Sequence, residues 1–240
     1  MNANEMKYQV LLETDFIFEN TAPGYSDIQI SAFLNKAQRR VFNEKKKIYD
    51  TDEQVKRILS PLNKRASLLG GTISVATETT YTHPNGTFYA LPSDLGKITE
   101  EFVQFSLLTN PVTYGNPILV YPINYDYYTK NYDNKYKKPY EKLVWRLDYN
   151  TESSGSPVIT KYVVELITDG LNTIGDYRIA YLRFPTDITV NTVTPASQVS
   201  CEILDKNFQD EVVSEATKMI KTALNDEGYQ VAVNEKTFDI

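Results

Sequence analysis

KYVVELITDGLNTIGDYRIAYLRFP (Lys161–Pro185) and, after a Thr- and Val-rich passage, NFQDEVVSEATKMIKTAL (Asn207–Leu224) form the stretch on which the fold turns. The first part holds two β-branched and aromatic runs, Lys161–Thr168 and Asp176–Phe184, broken at Asp169-Gly170, and both read as strands. The second places Phe208, Val212, Ala216, Met219, Ile220 and Ala223 at helical spacing on one face, with Glu211, Glu215, Lys218 and Lys221 on others. An apolar helical stripe needs a partner. Comparable helical sequence lies only near the N-terminus, so the two ends of the chain are expected to pack together and frame a β-rich middle.

That N-terminal partner opens at Tyr25. Ser26 and Gln29 have capping-box spacing, Tyr25 and Ile30 stand where a hydrophobic staple would place them, and Ile30, Phe33, Leu34, Ala37 and Val41 repeat at helical spacing. Lys45-Lys46-Lys47 fall at the C-terminal end, which the helix dipole favours, and read as a solvated helix end. A second box, Thr51-Asp52-Glu53-Gln54, predicts a short helix through Leu59 that Pro61 stops or kinks.

After Gly70-Gly71 the pattern changes to strands: TISVATETTY (72–81), TFYALP (87–92), Ile98–Leu108, Ile118–Tyr121, Glu141–Tyr149, Val158–Thr168, Asp176–Phe184 and Gln198–Ile203, with a hairpin around Pro84-Asn85-Gly86. Strands follow strands without an intervening helix, which favours antiparallel pairing. The fold class is therefore α+β, with N- and C-terminal amphipathic helices packed together and a central antiparallel β-sandwich or barrel-like domain. The expected organisation is an N-terminal arm (1–24), a helical subdomain (25–70 plus 205–228), a β-rich subdomain (71–204) and a C-terminal tail (229–240).

Catalytic chemistry finds little material. His83 is the one histidine, and beside Pro84 it reads as an exposed turn residue rather than a general base. A single cysteine, Cys201, forms no internal disulfide and reads as a buried thiol in a strand, and with no second histidine or cysteine a zinc cage lacks ligands. Glycine-rich phosphate loops, dinucleotide fingerprints and calcium loops have no counterpart. Glu100 and Glu101 point to opposite faces of a predicted strand and do not make an acid/base pair. The expectation is a protein that is not an enzyme, with no catalytic residues, no metal and no cofactor. A net charge of −6 argues against a broad basic face for nucleic acid. No apolar run approaches a membrane span and no signal-peptide pattern opens the sequence, so folding in a reducing cytoplasm without membrane contact is expected.

One segment is unusual. From Tyr121 to Lys142, YPINYDYYTKNYDNKYKKPYEK interleaves seven tyrosines with Lys130, Lys135, Lys137, Lys138 and Lys142. Tyrosine supplies contact area at low entropic cost, so a long loop ordered against a neighbouring subunit is one reading, and its residues would be Tyr125, Tyr127, Tyr128, Lys130, Tyr132, Tyr136, Lys137, Lys138 and Tyr140. A plain surface loop, or stacking on bases or sugars with lysines on phosphate, are the others.

Several segments taken in order carry a resemblance. They are Ile30–Gln38, Glu53–Leu62, Leu91–Asp94, Tyr121–Asn124 leading into Lys138-Pro139 and Trp145-Arg146-Leu147, then Tyr177–Pro185 and Asp210–Ala216. With them the chain resembles the ring, or head-to-tail connector, proteins of crAss-like podoviral bacteriophages, related in plan to tail-tubular adaptors. The resemblance implies a structural virion protein of the neck or tail, assembled in the host bacterial cytoplasm. It implies a closed ring of about twelve copies, a dodecamer, built on a heterologous interface below the portal. It also implies the portal and other ring and tail proteins as partners, and a channel for genome packaging, retention and ejection through which double-stranded DNA passes without sequence-specific binding. From a different class, a glycan-binding β-module for host receptor or carbohydrate recognition would use the Tyr and Trp faces instead.

Overall fold

A computed structural model describes residues 1–15, 25–68, 83–107, 110–152 and 160–237. It divides the chain into a helical unit, 1–62 with 184–240, and a sheet unit, 63–183.

In the helical unit, α1 (Ala3–Asp15) and α2 (Asp27–Ile48) both pack on α5 (Lys206–Thr237). The two ends of the chain do meet. The capping box at Ser26 forms as the spacing predicts, with Gln29 N–H donating to the Ser26 hydroxyl and Ser26 N–H to Gln29 Oε1 at 2.9 Å. Phe208, Val212, Val213, Ala216 and Ile220 of α5 are buried, as are Ile30, Leu34, Ala37 and Val41 of α2, which packs on it. Each large aliphatic or aromatic side chain so buried contributes about 1.5–3 kcal/mol. α1 stands where an N-terminal arm is expected; Ala3, Met6 and Val10 are its buried side chains. The second box shifts by one residue. Asp52 caps α3 (Glu53–Ile58), accepting from Gln54 and Val55 N–H, while Thr51 donates back to Ile48 O at 3.1 Å.

Gln198–Ile203, read as a strand, is irregular and makes a single bridge, Thr189 with Val199. The facing segment has its backbone partners elsewhere. Ser31, Asn35 and Gln38, on one face of α2, bond the main chain of Val190, Ile188 and Thr186, and this side-chain ladder replaces a neighbouring strand. Cys201 is buried but lies outside any strand.

The sheet unit holds β1 (Asn63–Leu68), β2 (Gly86–Ala90), β3 (Leu95–Leu107), β4 (Asn110–Tyr114), β5 (Ile118–Ile123), α4 (Tyr125–Asn131), β6 (Leu143–Glu152), β7 (Thr160–Ile167) and β8 (Ile174–Arg183). Their order is β1-β8-β3-β5-β6-β7-β2, with β4 on β3. Tyr89, on the β2 edge, stands T-shaped against Tyr177 of β8 at 5.3 Å, so the sheet curls until its β2 edge reaches back to β8, next to the other end. Val103, Val120, Val144, Val164, Leu166 and Ile179 fill the inside of that curl. Among the described residues every pairing is antiparallel except β5 with β6. Parallel neighbours need a crossover, and α4 lies in it, where the sequence reading expected an uninterrupted loop. Residues 72–81, read as a strand, lie outside the described residues, as does the first arm of the hairpin expected at Pro84-Asn85-Gly86. The turn itself is present, with Asn85 at φ +64° and Gly86 N–H donating to His83 O at 3.0 Å.

Candidate functional site

The crossover between β5 and β6 brings the Tyr/Lys segment onto the outer face of the sheet. Asn124 caps α4, its Oδ1 accepting from Tyr127 N–H at 2.8 Å. Tyr127 and Tyr128 then turn toward the sheet and meet Trp145 of β6 edge-on, at 5.7 and 6.2 Å between ring centres. Trp145 is fully buried, with Leu147 and Ile167 beside it. Beyond the helix, Asn134 organises the return. Its side chain accepts from Tyr136 N–H at 3.0 Å, its carbonyl accepts from Lys137 and Lys138 N–H, Pro139 is buried, and Tyr140 pairs with Leu143 to start β6.

The expected contact residues therefore divide. Tyr127 and Tyr128 are half-buried anchors, whereas Tyr125, Lys130, Tyr132, Tyr136, Lys137, Lys138 and Tyr140 are exposed, Tyr136 at 97%. Lys130, Lys135, Lys137, Lys138 and Lys142 make no ion pair among the described residues. The result is a set of solvent-facing rings and free ammonium groups on a locally fixed backbone.

Beneath α4 lies a cluster that sequence reasoning did not find. His83 is buried, not exposed as its place in a turn suggests, because the Pro84-Asn85 turn folds it under Tyr128, 4.2 Å between ring centres, and against Glu165 of β7. Glu165 is completely buried and accepts from His83 N–H at 2.9 Å and from the Tyr149 hydroxyl at 2.7 Å, with His83 Nδ1 at 2.7 Å. Burial first, then hydrogen bonding with Tyr125 and to the Glu165 carboxylate, pushes the Tyr149 phenol well above the ordinary tyrosine range, which keeps it a donor. Gly86 makes room: a Cβ there would overlap Glu165 Oε1 and lie 2.7 Å from its Cδ. The lone His beside Asn85-Gly86 was the one available signal, and it pointed to a turn without saying what the turn packs on.

On the inner face, Arg146 donates to Glu101 at 2.6 Å and to Asp148 at 2.8 Å, and Tyr177 donates to the second Glu101 oxygen at 2.9 Å. Burial alone would lower the Arg146 pKa, but the charges of Glu101 and Asp148 outweigh it and raise it. Glu101 thus serves the core while Glu100 is exposed, as the alternation of a strand requires. These polar groups satisfy one another. Among the described residues no group of three or more His, Cys, Asp or Glu side chains is disposed to hold a metal ion, and no helix is long and apolar enough to cross a membrane.

The profile of a family described as phage tail ring protein 3/4 matches residues 1–226. The chain belongs to this family. It is also similar to ring protein 4/5 of Bacteroides phage crAss001, at 26% identity over 93% of each chain. The matched range takes in both units, including the tyrosine-lined crossover and the helix that closes the helical unit. Membership assigns a structural ring role in the phage tail.

Proposed function

We propose that this ring protein acts in the neck of the virion, below the portal. Copies of it close a cyclic ring of about twelve subunits around the channel through which the genome is packaged, retained and ejected. The exposed face of the Tyr121–Lys142 crossover forms a contact between subunits. The observation that carries this reading is the match of the family along residues 1–226, together with a rigid surface of exposed tyrosines and unpaired lysines. Such rings offer large, amphipathic contact area with few rotors to immobilise. The chain works by shape, without catalysis, and assembles in the host cytoplasm with the portal and neighbouring ring and tail proteins. Double-stranded DNA slides past an acidic wall that repels its phosphates.

Electron cryo-microscopy of intact particles tests this. Cyclic density fitted by this chain on the portal axis is the expected result. Placement of the chain away from that axis, or its absence from the particle, refutes it.

A further inference from the structure

Charge is unevenly shared between the two units. The helical unit, 1–62 and 184–240, carries 13 Lys and Arg against 19 Asp and Glu, whereas the sheet unit carries 12 of each. The whole net charge of −6 therefore belongs to the helical unit. Within the neutral sheet unit, the Tyr121–Lys142 segment sets five lysines against Asp126, Asp133 and Glu141. Tyr136 stands at its most exposed point, with Lys135, Lys137 and Lys138 on either side.

The helical unit offers the complementary form. A groove of about 770 Å³ runs between the C-terminal half of α2, α3 and the first turns of α5. Its accessible apolar surface comes from Ile48, which is exposed, and Ile58, which is half-buried, over a floor of buried Val41, Val55 and Phe208. Its charged residues are Glu44, Asp52, Asp210, Glu211 and Glu215 against Arg40, Lys45 and Lys218. Those three cations are already engaged: Arg40 with Glu215 and Glu44, Lys45 with Glu211, Lys218 with Glu215. Asp210 has no ion pair or hydrogen-bond partner among the described residues, which leaves the groove with a net negative rim.

Resting on the ring reading above, we infer that the crossover of one copy docks into the α2–α3–α5 groove of the next. Tyr136 enters as the aromatic anchor, and Lys135, Lys137 and Lys138 meet the net negative rim, centred on Asp210 and extended by Glu211 and Glu44, which also hold Lys45 and Arg40. Two different patches on one chain that fit each other make the head-to-tail contact that a cyclic ring requires, whereas a self-matching patch would stop at a dimer. An aromatic centre with a charged rim is the anatomy of an interface hot spot. The fixed turn at Asn134 lowers the ordering cost of docking. DNA is the less fitting occupant, since three carboxylates interrupt the five lysines and the same segment exposes four or more bare rings.

The test uses two full-length variants: K135E/K137E/K138E, reversing the crossover, and D210K/E211K, reversing the groove. Mass photometry measures wild type, each variant alone and an equimolar mixture, with circular dichroism as a check on folding. Wild type is expected to form rings. Each variant alone should associate at least tenfold more weakly, and the mixture should recover rings of alternating variants, because their contacts alternate between a reversed crossover in a reversed groove and a native crossover in a native groove. Recovery also shows that both variants fold. If both variants form rings like wild type, or if the mixture stays dissociated, the docking is refuted while the ring reading stands. A wild type that forms no ring, either in solution or in particles, refutes both. Unchanged rings in the crossover variant with lost binding to a 30-bp duplex would assign the lysines to DNA and overturn the proposal.

Discussion

Glu165 and Gly86 should behave as one unit, and a double-mutant cycle measures it. In Glu165→Ala, the main-chain N–H of His83 loses its acceptor at 2.9 Å, and the Tyr149 hydroxyl and His83 Nδ1 lose theirs at 2.7 Å each. The last two lie 3.2 Å apart and can pair with each other, and Tyr149 also bonds Tyr125, so the His83 main-chain N–H is the donor that loses its acceptor outright. At about 1–3 kcal/mol per orphaned group, plus the cavity, the cost is about 3–5 kcal/mol. Gly86→Ala should cost a similar amount by the opposite route, because its Cβ would overlap the carboxylate that those same groups hold in place. Once Glu165 is truncated the overlap is gone. Gly86→Ala then costs about nothing, and it gains slightly from reduced freedom of the unfolded chain. The double variant should match Glu165→Ala to within about 1 kcal/mol, a coupling of about 3 kcal/mol. Urea unfolding followed by fluorescence reads this locally, since Trp145 is the one tryptophan and is buried in the sheet unit. Additive losses of about 6–10 kcal/mol would show that Gly86 and Glu165 act through separate contacts, and the account of the cluster would fail.

Asp27 gives a pH signature. Hydrogen bonds from Lys7 and Thr192 lower its carboxyl to about 2 from 3.8, so its contribution is complete above pH 4 and is lost as pH falls through 2. Solvent access limits it to about 1 kcal/mol; Asp27→Asn should remove that acid-dependent part, and thermal melts at pH 5 and pH 2.5 that lose stability equally in both proteins would refute the assignment. Cys201, whose thiol burial pushes up, should react with a disulfide reagent at least ~100-fold more slowly in the native protein than in urea; equal rates would contradict its burial. Ser26→Ala removes the side-chain half of the capping box and should cost about 1 kcal/mol, read as a lower midpoint of helix melting by circular dichroism.

What could be read from the sequence was what local periodicity controls. The capping box at Ser26, the buried faces of α2 and α5 and the strands β3, β6, β7 and β8 all repeat with the period of their own element. What could not be read depends on distant partners. β1 is NKRASL, largely exposed, and becomes a strand only because β8 offers it a backbone edge. In α1, the exposed Tyr8 and Leu12 obscure the buried face of Ala3, Met6 and Val10. Gln198–Ile203 has strand composition, but apart from the Thr189–Val199 bridge the backbone beside it is bonded by side chains of α2. The burial of His83 follows from a contact 82 residues away along the chain, set by the register of β2 on β7, which places Phe88 opposite Glu165.

The parallel pairing of β5 and β6 explains why the contact surface sits where it does. Two parallel neighbours run in one direction, so the chain leaving Ile123 must travel back along the sheet before Leu143 can start beside Leu119. That return cannot be buried without partners for its backbone, and it cannot float without losing register. Tyr127, Tyr128 and the buried Pro139 resolve the conflict by fixing the return on Trp145 and the sheet, while intervening positions face solvent. A segment tied down at such short intervals presents Tyr136 in one orientation at little entropic cost on binding. Weakening the seat should therefore weaken assembly without touching an exposed residue. Tyr127→Ala in the full chain is expected to lower ring formation and shift Trp145 emission to the red, with α5 helicity unchanged. Normal rings alongside a red-shifted Trp145 would show that the return can hold its shape without that seat.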